Sequence, residues 1–558
     1  MRLILRIAGL VLATALLHLA LIQPNHPQAM TWGALRLVPL ELPVIVLVLL
    51  AWPGRALLLR AMLVGVLSLV VLIKAADYAH FLAYNRAFNP ATDLGLIRAA
   101  YELGIGTLGQ VLGHMLAFGA VLLPFGLVGA FWWATGRWAR LQPPRGRALV
   151  WRGGFGALAL LAGVVMLGQI GAAKGQWVLP VSPPGAAFSA RLAYDRLALY
   201  RATRAEIAAF DAAARHDPAA SASPLLDRLA GRDVVFIFIE SYGRASFDNP
   251  LYIPTHSATL RAAEQELAQI AGIATRSGWM TAPVTGGQSW LAHTAIASGL
   301  WISNQIQYRA LLASPRKTLF QLAGAAGYHT AAVVPAITRD WPEGSRIGFE
   351  TILARDDLGY QGLPFNWVTM PDQFTLTAYD RLLAKAARDG RPLFAEISLI
   401  SSHAPWVPVP ELIAWDDVGD GSVFNIVAQS GDPPEIVWRD SDRVRDQYRK
   451  AVAYALQTSL SYVARQGPDM PLFIILGDHQ PAGFVAGGPS FDVPVHVIGP
   501  AETVAMMDGW GWTPGLFADS ALPAWPMDLF RDRFLRAYST GMPPAFNPLA
   551  VNPVVQSR

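Results

Sequence analysis

The chain has 558 residues, 53% of them hydrophobic and only 15% charged, too long for one ordinary domain and too apolar for a soluble protein of average make-up. It contains no cysteine, which excludes disulfides, thiolate metal sites and a cysteine nucleophile. The net charge of +4 does not point to nucleic acid, because the basic residues gather between apolar runs and in the connector that follows them.

The apolar excess lies almost entirely before residue 172. The runs Leu3–Ile22, 37–52, 57–76, 115–134 and 149–172 approach the ~20 residues that cross a bilayer core, and Pro53-Gly54-Arg55 turns the second into the third. With the amino terminus inside, the cytoplasmic segments carry Arg2 and Arg6, Arg55 and Arg60, then Arg137, Arg140, Arg145, Arg147 and Arg152. The opposite loops hold Arg36, and Arg86 and Arg98 mixed with Asp77, Asp93 and Glu102. The positive-inside rule then places everything after the fifth run outside the cytoplasm, in a multi-pass protein of the inner or plasma membrane. Trp52, Trp132 and Trp133 stand at run ends as interfacial anchors. A cleaved signal peptide is the alternative for residues 1–30, although four further runs follow. His18 lies inside the first run. No paired charges are evident within the runs, which argues against a transporter.

Residues 175–230 read as a linker. Across 187–215, Arg191, Arg196, Arg201 and Arg204 interleave with Leu192, Leu197 and Leu199 at helical spacing. Such a helix suits anionic lipid headgroups or the surface of the next domain. The segment from Pro218 to Pro224 breaks the pattern.

From residue 231 to about 545 strands and helices alternate, which predicts an α/β sandwich around a largely parallel sheet, with a tail at 546–558. The sequence predicts helices over 259–270, 290–299 and 442–465, and strands at 234–239, His329–Val334, 393–400, 472–476 and 493–498. No phosphate-cradling Gly-rich loop with Lys and no dinucleotide fingerprint occurs.

Two of these strands end in possible metal ligands. Val234-Val235-Phe236-Ile237-Phe238-Ile239 runs into Glu240-Ser241, and Leu472-Phe473-Ile474-Ile475-Leu476-Gly477 runs into Asp478-His479. In open α/β sheets chemistry gathers at the carboxyl ends of strands, so Glu240, Asp478 and His479 suggest one site. Carboxylate with imidazole suits Zn²⁺ or Mn²⁺, and a carboxylate-rich site also takes Mg²⁺. Ser289 follows Gly286-Gly287-Gln288 at the start of a helix. It is either a helix cap or a hydroxyl activated by the metal to attack phosphorus. His293 lies one turn further on the same face, to contact a leaving group or simply to pack. Asp372, in Met370-Pro371-Asp372, reads as a helix cap.

Ile239-Glu240-Ser241, Gly287-Gln288-Ser289 with its helix to Ser298-Gly299-Leu300, Ser401-Ser402-His403-Ala404-Pro405 and Gly477-Asp478-His479 resemble the ordered motifs of the alkaline phosphatase and sulfatase superfamily. They are similar in particular to its membrane-bound branch of lipoteichoic acid synthases and phosphoglycerol transferases, whose several membrane spans and extracytoplasmic catalytic domain this chain's organisation also resembles. The resemblance implies an alkaline-phosphatase-like fold and one divalent metal ion (Mn²⁺, Mg²⁺ or Zn²⁺) on Glu240, Ser289, Asp478 and His479. It implies Ser289 as nucleophile and His403 at the phosphoryl or leaving group. Arg339, with Trp341 beside it, is similar to the family's substrate-binding segment, and an arginine fork suits phosphate. The implied reaction moves a phospho-headgroup, phosphoglycerol from phosphatidylglycerol above all, from a membrane lipid to an extracytoplasmic glycan or lipid.

The branch usually has threonine as nucleophile where serine stands here. Sulfatases that convert Ser or Cys to an aldehyde need x-Pro-x-Arg after it, whereas Trp290-Leu291-Ala292-His293 follows Ser289. Phosphoethanolamine transferases are similar but disulfide-rich. A phosphatase or phosphodiesterase of the same fold and an inactive membrane sensor are the remaining alternatives.

Overall fold

The computed structural model describes residues 1–52, 57–141, 147–181, 185–386 and 390–542. The Pro53-Gly54-Arg55 turn, Arg145 and the tail at 546–558 lie outside them. The chain divides into two compact units, one of residues 1–82, 86–94 and 111–205, the other of 83–85, 95–110 and 206–558.

The first unit is helical: α1 (Arg2–Ile22), α2 (Glu41–Ala51), α3 (Leu57–Tyr84), α4 (Gln110–Ala139), α5 (Ala148–Ala173) and the beginning of α6 (Phe188–Ala214). Among the described residues, four helices are long and apolar enough to cross a membrane: Leu3–Ile22, α3, α4 and α5. The run at 37–52 is helical over less of its length than the sequence predicts. Its helix has 11 residues, about 16 Å of rise, because Val38–Pro39 is extended and pairs with Gly185–Ala186. Even so, α2 runs antiparallel to α5. Near one end Trp151 Nε1 donates to the Leu50 carbonyl at 2.9 Å; near the other, the side chains of Glu41 and Gln169 accept from the Ala190 and Ala187 N–H groups at 2.8 and 3.1 Å.

Charged groups are buried in this unit. Lys74 Nζ donates to the carbonyls of Ala20 and Leu21 at 3.2 and 2.8 Å and to Ser189 Oγ at 2.8 Å. Asp77, fully buried, pairs with Arg196 of α6. Asp77 lies just beyond the run 57–76 and Arg196 in the linker; the two are 119 residues apart in sequence, beyond any local pattern. Removing either member would leave a buried charge alone, at a cost of about 3–5 kcal/mol.

The second unit is built on a sheet containing β1 (Val234–Ile239), β2 (Ile273–Thr281), β3 (His329–Val334), β4 (Thr351–Ala354), β5 (Leu393–Leu399), β6 (Leu472–Gly477) and β7 (Asp492–Pro500). Their order is β2-β7-β6-β1-β5-β3-β4, with Thr513–Pro514 and Trp525–Pro526 on β2. From β6 to β4 the strands are parallel; β7 and β2 are antiparallel to their neighbours. The strands β2 and β4 have no counterpart in the sequence reading, because Thr275, Arg276 and Ser277 hide the apolar run of β2 and β4 is only four residues long.

All six residues of β1 are buried. Val235, Ile237 and Ile239 face one core with α10 (Ser441–Ala464), while Phe236 and Phe238 face a second core with α8 (Ser289–Ser298). The second half of the linker is not a free connector. Ala219, Leu226 and Leu229 are buried in the second core, and Asp217 binds the fully buried Arg531, with Oδ1 at 2.6 Å from Nη2.

Candidate active site

Register alone brings the site together. Ile239 pairs with Gly477 on one side and Leu399 on the other, so Glu240, Asp478 and the Ser401-Ser402-His403 turn all emerge at one edge of three adjacent parallel strands. Gly477 is required there: a Cβ would stand 1.7 Å from the Tyr242 carbonyl oxygen. Ser241 takes φ +58°, an unfavourable conformation for a residue with a side chain. It is held by its N–H donating to Asp478 Oδ1 at 2.8 Å and its carbonyl accepting from Tyr448 at 2.9 Å. Ser402 Oγ donates to the Glu240 carbonyl at 2.6 Å, fastening the third strand end to the first.

Ser289 is delivered by the preceding turn. Gly286 and Gly287 have φ of +71° and +141° and Gln288 is left-handed at +68°, so the chain reverses just before α8. Gln288 holds the cap position and makes no side-chain cap bond, so the helix-cap reading of Ser289 is not what the structure shows. Ser289 Oγ donates to Glu240 Oε2 at 2.9 Å and lies 3.1 Å from His479 Nε2. His479 Nδ1 donates to the Gln480 carbonyl at 2.8 Å. That bond assigns the proton to Nδ1 and leaves the Nε2 lone pair facing Glu240 Oε1 at 3.3 Å and Asp478 Oδ2 at 3.7 Å.

Glu240, Asp478 and His479 are buried, and one ligand atom from each lies within 4.8 Å of the others. Burial, then the negative charge of Glu240, pushes Asp478 well above the usual carboxylate range. Burial would raise Glu240 too, but His479 and His403 when protonated, with hydrogen bonds from Asp478 and Ser289, outweigh it and hold that group down at about 2. Two carboxylates confined this way conflict unless one keeps a proton or a cation lies between them. Two carboxylates, an imidazole lone pair and a hydroxyl fit a divalent ion. Among the described residues no other cluster of three such ligands occurs.

His403 is half-buried after β5 with Nδ1 2.5 Å from the Ala404 carbonyl; its charge acts on Glu240. Arg339 is exposed in the loop after β3, at the same edge of the sheet, and Trp341 packs on Phe349 with ring centroids 6.0 Å apart. No contact joins either to Ser289 among the described residues. His293 packs and pairs: its ring stacks on Phe238 at 3.8 Å, and Nδ1 lies 2.9 Å from Glu396 Oε1.

Asp372 does not cap its helix, α9 (Asp372–Tyr379). Pro371 stands at the cap, and Asp372 Oδ1 instead accepts from the N–H groups of Ile400 and Ser401 at 2.9 and 2.8 Å. Sequence reasoning also passed over Ser241, Ser402 and Glu396. Only Glu396 left a signal, a single carboxylate inside the apolar run 393–400.

At its other end, α8 meets cations. Arg316 donates to the Ser298 and Gly299 carbonyls at 2.8 and 3.2 Å, favourable at a helix carboxyl terminus.

Residues 232–490 match the sequence profile of the Sulfatase family. A comparison with curated proteins yields no match. Similar solved structures include the lipoteichoic acid synthase LtaP from Listeria monocytogenes, 14% identical over 48% of this chain and 65% of that one, with a TM-score of 0.33. The C-terminal periplasmic domain of EcEptC from Escherichia coli is 11% identical over 55% and 82%, at 0.37. Phosphoglycerol transferase GacH from Streptococcus pyogenes, in complex with sn-glycerol-1-phosphate, is 11% identical over 56% and 87%, at 0.34. The match thus spans just under two thirds of LtaP. Residues 232–490, just under half of the chain, are thus similar to the Sulfatase family, in line with the motifs at Glu240, Ser289, His403 and Asp478.

Proposed function

We propose that the chain is a membrane-anchored transferase that moves a phospho-headgroup, phosphoglycerol from phosphatidylglycerol, to a glycan or lipid acceptor outside the cytoplasm. The observation that carries this reading is the position of Ser289 Oγ, 2.9 Å from Glu240 and 3.1 Å from His479. It is a hydroxyl at a helix amino terminus, where anionic groups are favoured, inside a ligand set suited to one divalent ion.

Ser289 attacks phosphorus; the Oγ–P bond forms, the bond to the diacylglycerol oxygen breaks, and that oxygen leaves with the electron pair. The acceptor hydroxyl, or water, then displaces Ser289 from phosphorus. Glu240, Asp478, His479 and Ser289 would hold the metal, which when bound would lower the hydroxyl pKa and stabilise charge on phosphoryl oxygens. His403 binds the phosphoryl or leaving group, and Arg339 with Trp341 belongs to the substrate loop. The apolar helices keep the site beside its lipid donor.

Purified full-length protein incubated with labelled phosphatidylglycerol or phosphatidylethanolamine, with and without Mn²⁺, should release diacylglycerol from the former only when metal is present. Release from phosphatidylethanolamine alone would change the headgroup. Cleavage independent of any acceptor, with the headgroup appearing free, would make the protein a hydrolase. Absence of turnover on any ester would leave a binding protein.

A further inference from the structure

The two faces of α6 are built differently. Up to Ala205 the helix belongs to the first unit, and Leu192, Arg196, Leu199 and Thr203, spaced by four, three and four residues, turn inward. Leu192 and Thr203 are buried, Arg196 pairs with Asp77, and Thr203 Oγ1 accepts from Asn89 Nδ2 at 3.0 Å. The opposite face carries Tyr194, Leu197, Arg201 and Arg204 at the same spacing, with Tyr200 on its flank. Tyr194, Leu197 and Tyr200 are 50%, 52% and 55% exposed. Arg201 and Arg204 are exposed too, and neither has a hydrogen bond or ion pair among the described residues. Two cations one turn apart repel each other, so this face lacks an anionic partner.

The start of α6 is fixed at the ends of the membrane helices. Ser189 Oγ accepts from Lys74 of α3 at 2.8 Å and donates to the Leu21 carbonyl, near the end of α1, at 3.0 Å. Lys174, the residue that follows α5, pairs with Asp195, and its Nζ lies 5.1 Å from the centroid of the Tyr194 ring. Trp177 Nε1 donates back to the Gly168 carbonyl of α5 at 2.9 Å, an aromatic anchor of the kind found at membrane interfaces. Tyr194 and Asp195 are therefore level with the end of α5. Arg201 follows Asp195 by six residues, which carries it at most about 9 Å further out. The headgroup layer is about 5–8 Å deep, and a long arginine side chain covers the difference.

We infer that the exposed face of α6 is a docking surface for anionic phospholipid in the leaflet at which α1 and α5 end. Arg201 and Arg204 bind lipid phosphates, while Tyr194, Leu197 and Tyr200 enter the boundary between headgroups and acyl chains. Charge decides the occupant: an unpaired arginine pair beside exposed aromatic and aliphatic side chains matches a surface that is anionic outside and apolar beneath. Anionic lipid thereby gathers at the segment that leads from the first unit into the second. The inference rests on the membrane helices alone and holds whether the second unit is a transferase, a hydrolase or inert.

The chain has no cysteine, so Leu197→Cys in the full-length protein takes a single bimane label. In phosphatidylcholine vesicles, lipid carrying a nitroxide on the acyl chain near the headgroup should quench the label, and aqueous iodide should not. Nitroxide-labelled phosphatidylglycerol should be preferred over nitroxide-labelled phosphatidylcholine at least about fivefold, the attraction of a single arginine at an anionic surface. Arg201→Gln combined with Arg204→Gln should bring the preference below about twofold. Tyr200→Cys is the second labelling position, in case the first variant fails to reconstitute. Quenching by iodide alone, equal quenching by the two lipids, or a preference kept without the two arginines would overturn the inference. A label reached by neither quencher would mean that protein covers the face, and would overturn it as well.

Discussion

Asp372 and Ser401 are bonded reciprocally: the Asp372 N–H donates to Ser401 Oγ at 2.9 Å, and the Ser401 N–H donates to Asp372 Oδ1 at 2.8 Å. The pair fixes the start of the turn that carries His403, although Asp372 touches nothing in the candidate metal site.

Its ionisation gives the first prediction. Burial outweighs the hydrogen bonds and raises Asp372 to about 6, above its ordinary 3.8. The folded state therefore holds the proton more tightly than the unfolded chain does. This contribution to stability is complete below about pH 4 and is lost as pH rises through about 6. Asp372→Asn keeps an acceptor for both N–H groups and cannot ionise. Its unfolding free energy relative to wild type should rise between pH 5 and 7.5 by about 1.4 kcal/mol, roughly half of the full effect of the shift. Denaturant titrations at both pH values measure this, and a difference independent of pH would refute it.

Ser289→Ala should abolish turnover with folding retained, since the variant loses the covalent path and leaves the pocket in place. Ser289→Thr keeps the hydroxyl and should retain part of the activity. Mass spectrometry of protein trapped with donor lipid should place the phospho-headgroup on the peptide containing Ser289. A label on Thr285 or Thr294 would move the nucleophile.

Metal should stabilise the fold. At a hundred times its Kd an ion adds about 2.7 kcal/mol, so removing it with chelator should lower Tm. Asp478→Asn and Glu240→Ala should lose the ion by elemental analysis, and with it the chelator effect. Full occupancy in both would remove the site.

Phosphatase fusions truncated near Ala173 should be active and fusions near Gly146 inactive, from the arginine asymmetry and from five crossings in which the short α2 takes part beside the four long helices. The reverse would put the domain on the cytoplasmic side and exclude a lipid donor in the outer leaflet.

The elements most legible in the sequence are those fixed by local patterns. Unbroken apolar runs located β1 and β6, and with them Glu240, Asp478 and His479 at the strand ends. The Gly-Gly turn located Ser289. Long-range pairings left no local trace: Asp77 with Arg196, and Asp217 with Arg531. Asp372 was misread because Pro-Asp before a helix is the pattern of a cap, whereas its partners lie 28 and 29 residues downstream.

Ser289 and His479 are 190 residues apart, and β6 follows every other strand of the parallel layer in the chain. During synthesis Ser289, the proposed nucleophile, thus leaves the ribosome long before the residues that complete its surroundings. A nascent or truncated chain ending before Leu472 carries Ser289, His293 and His403 yet has no means of activating them. On the proposed function such a chain should be inert until nearly the whole domain has been made, so that activity would report a complete domain.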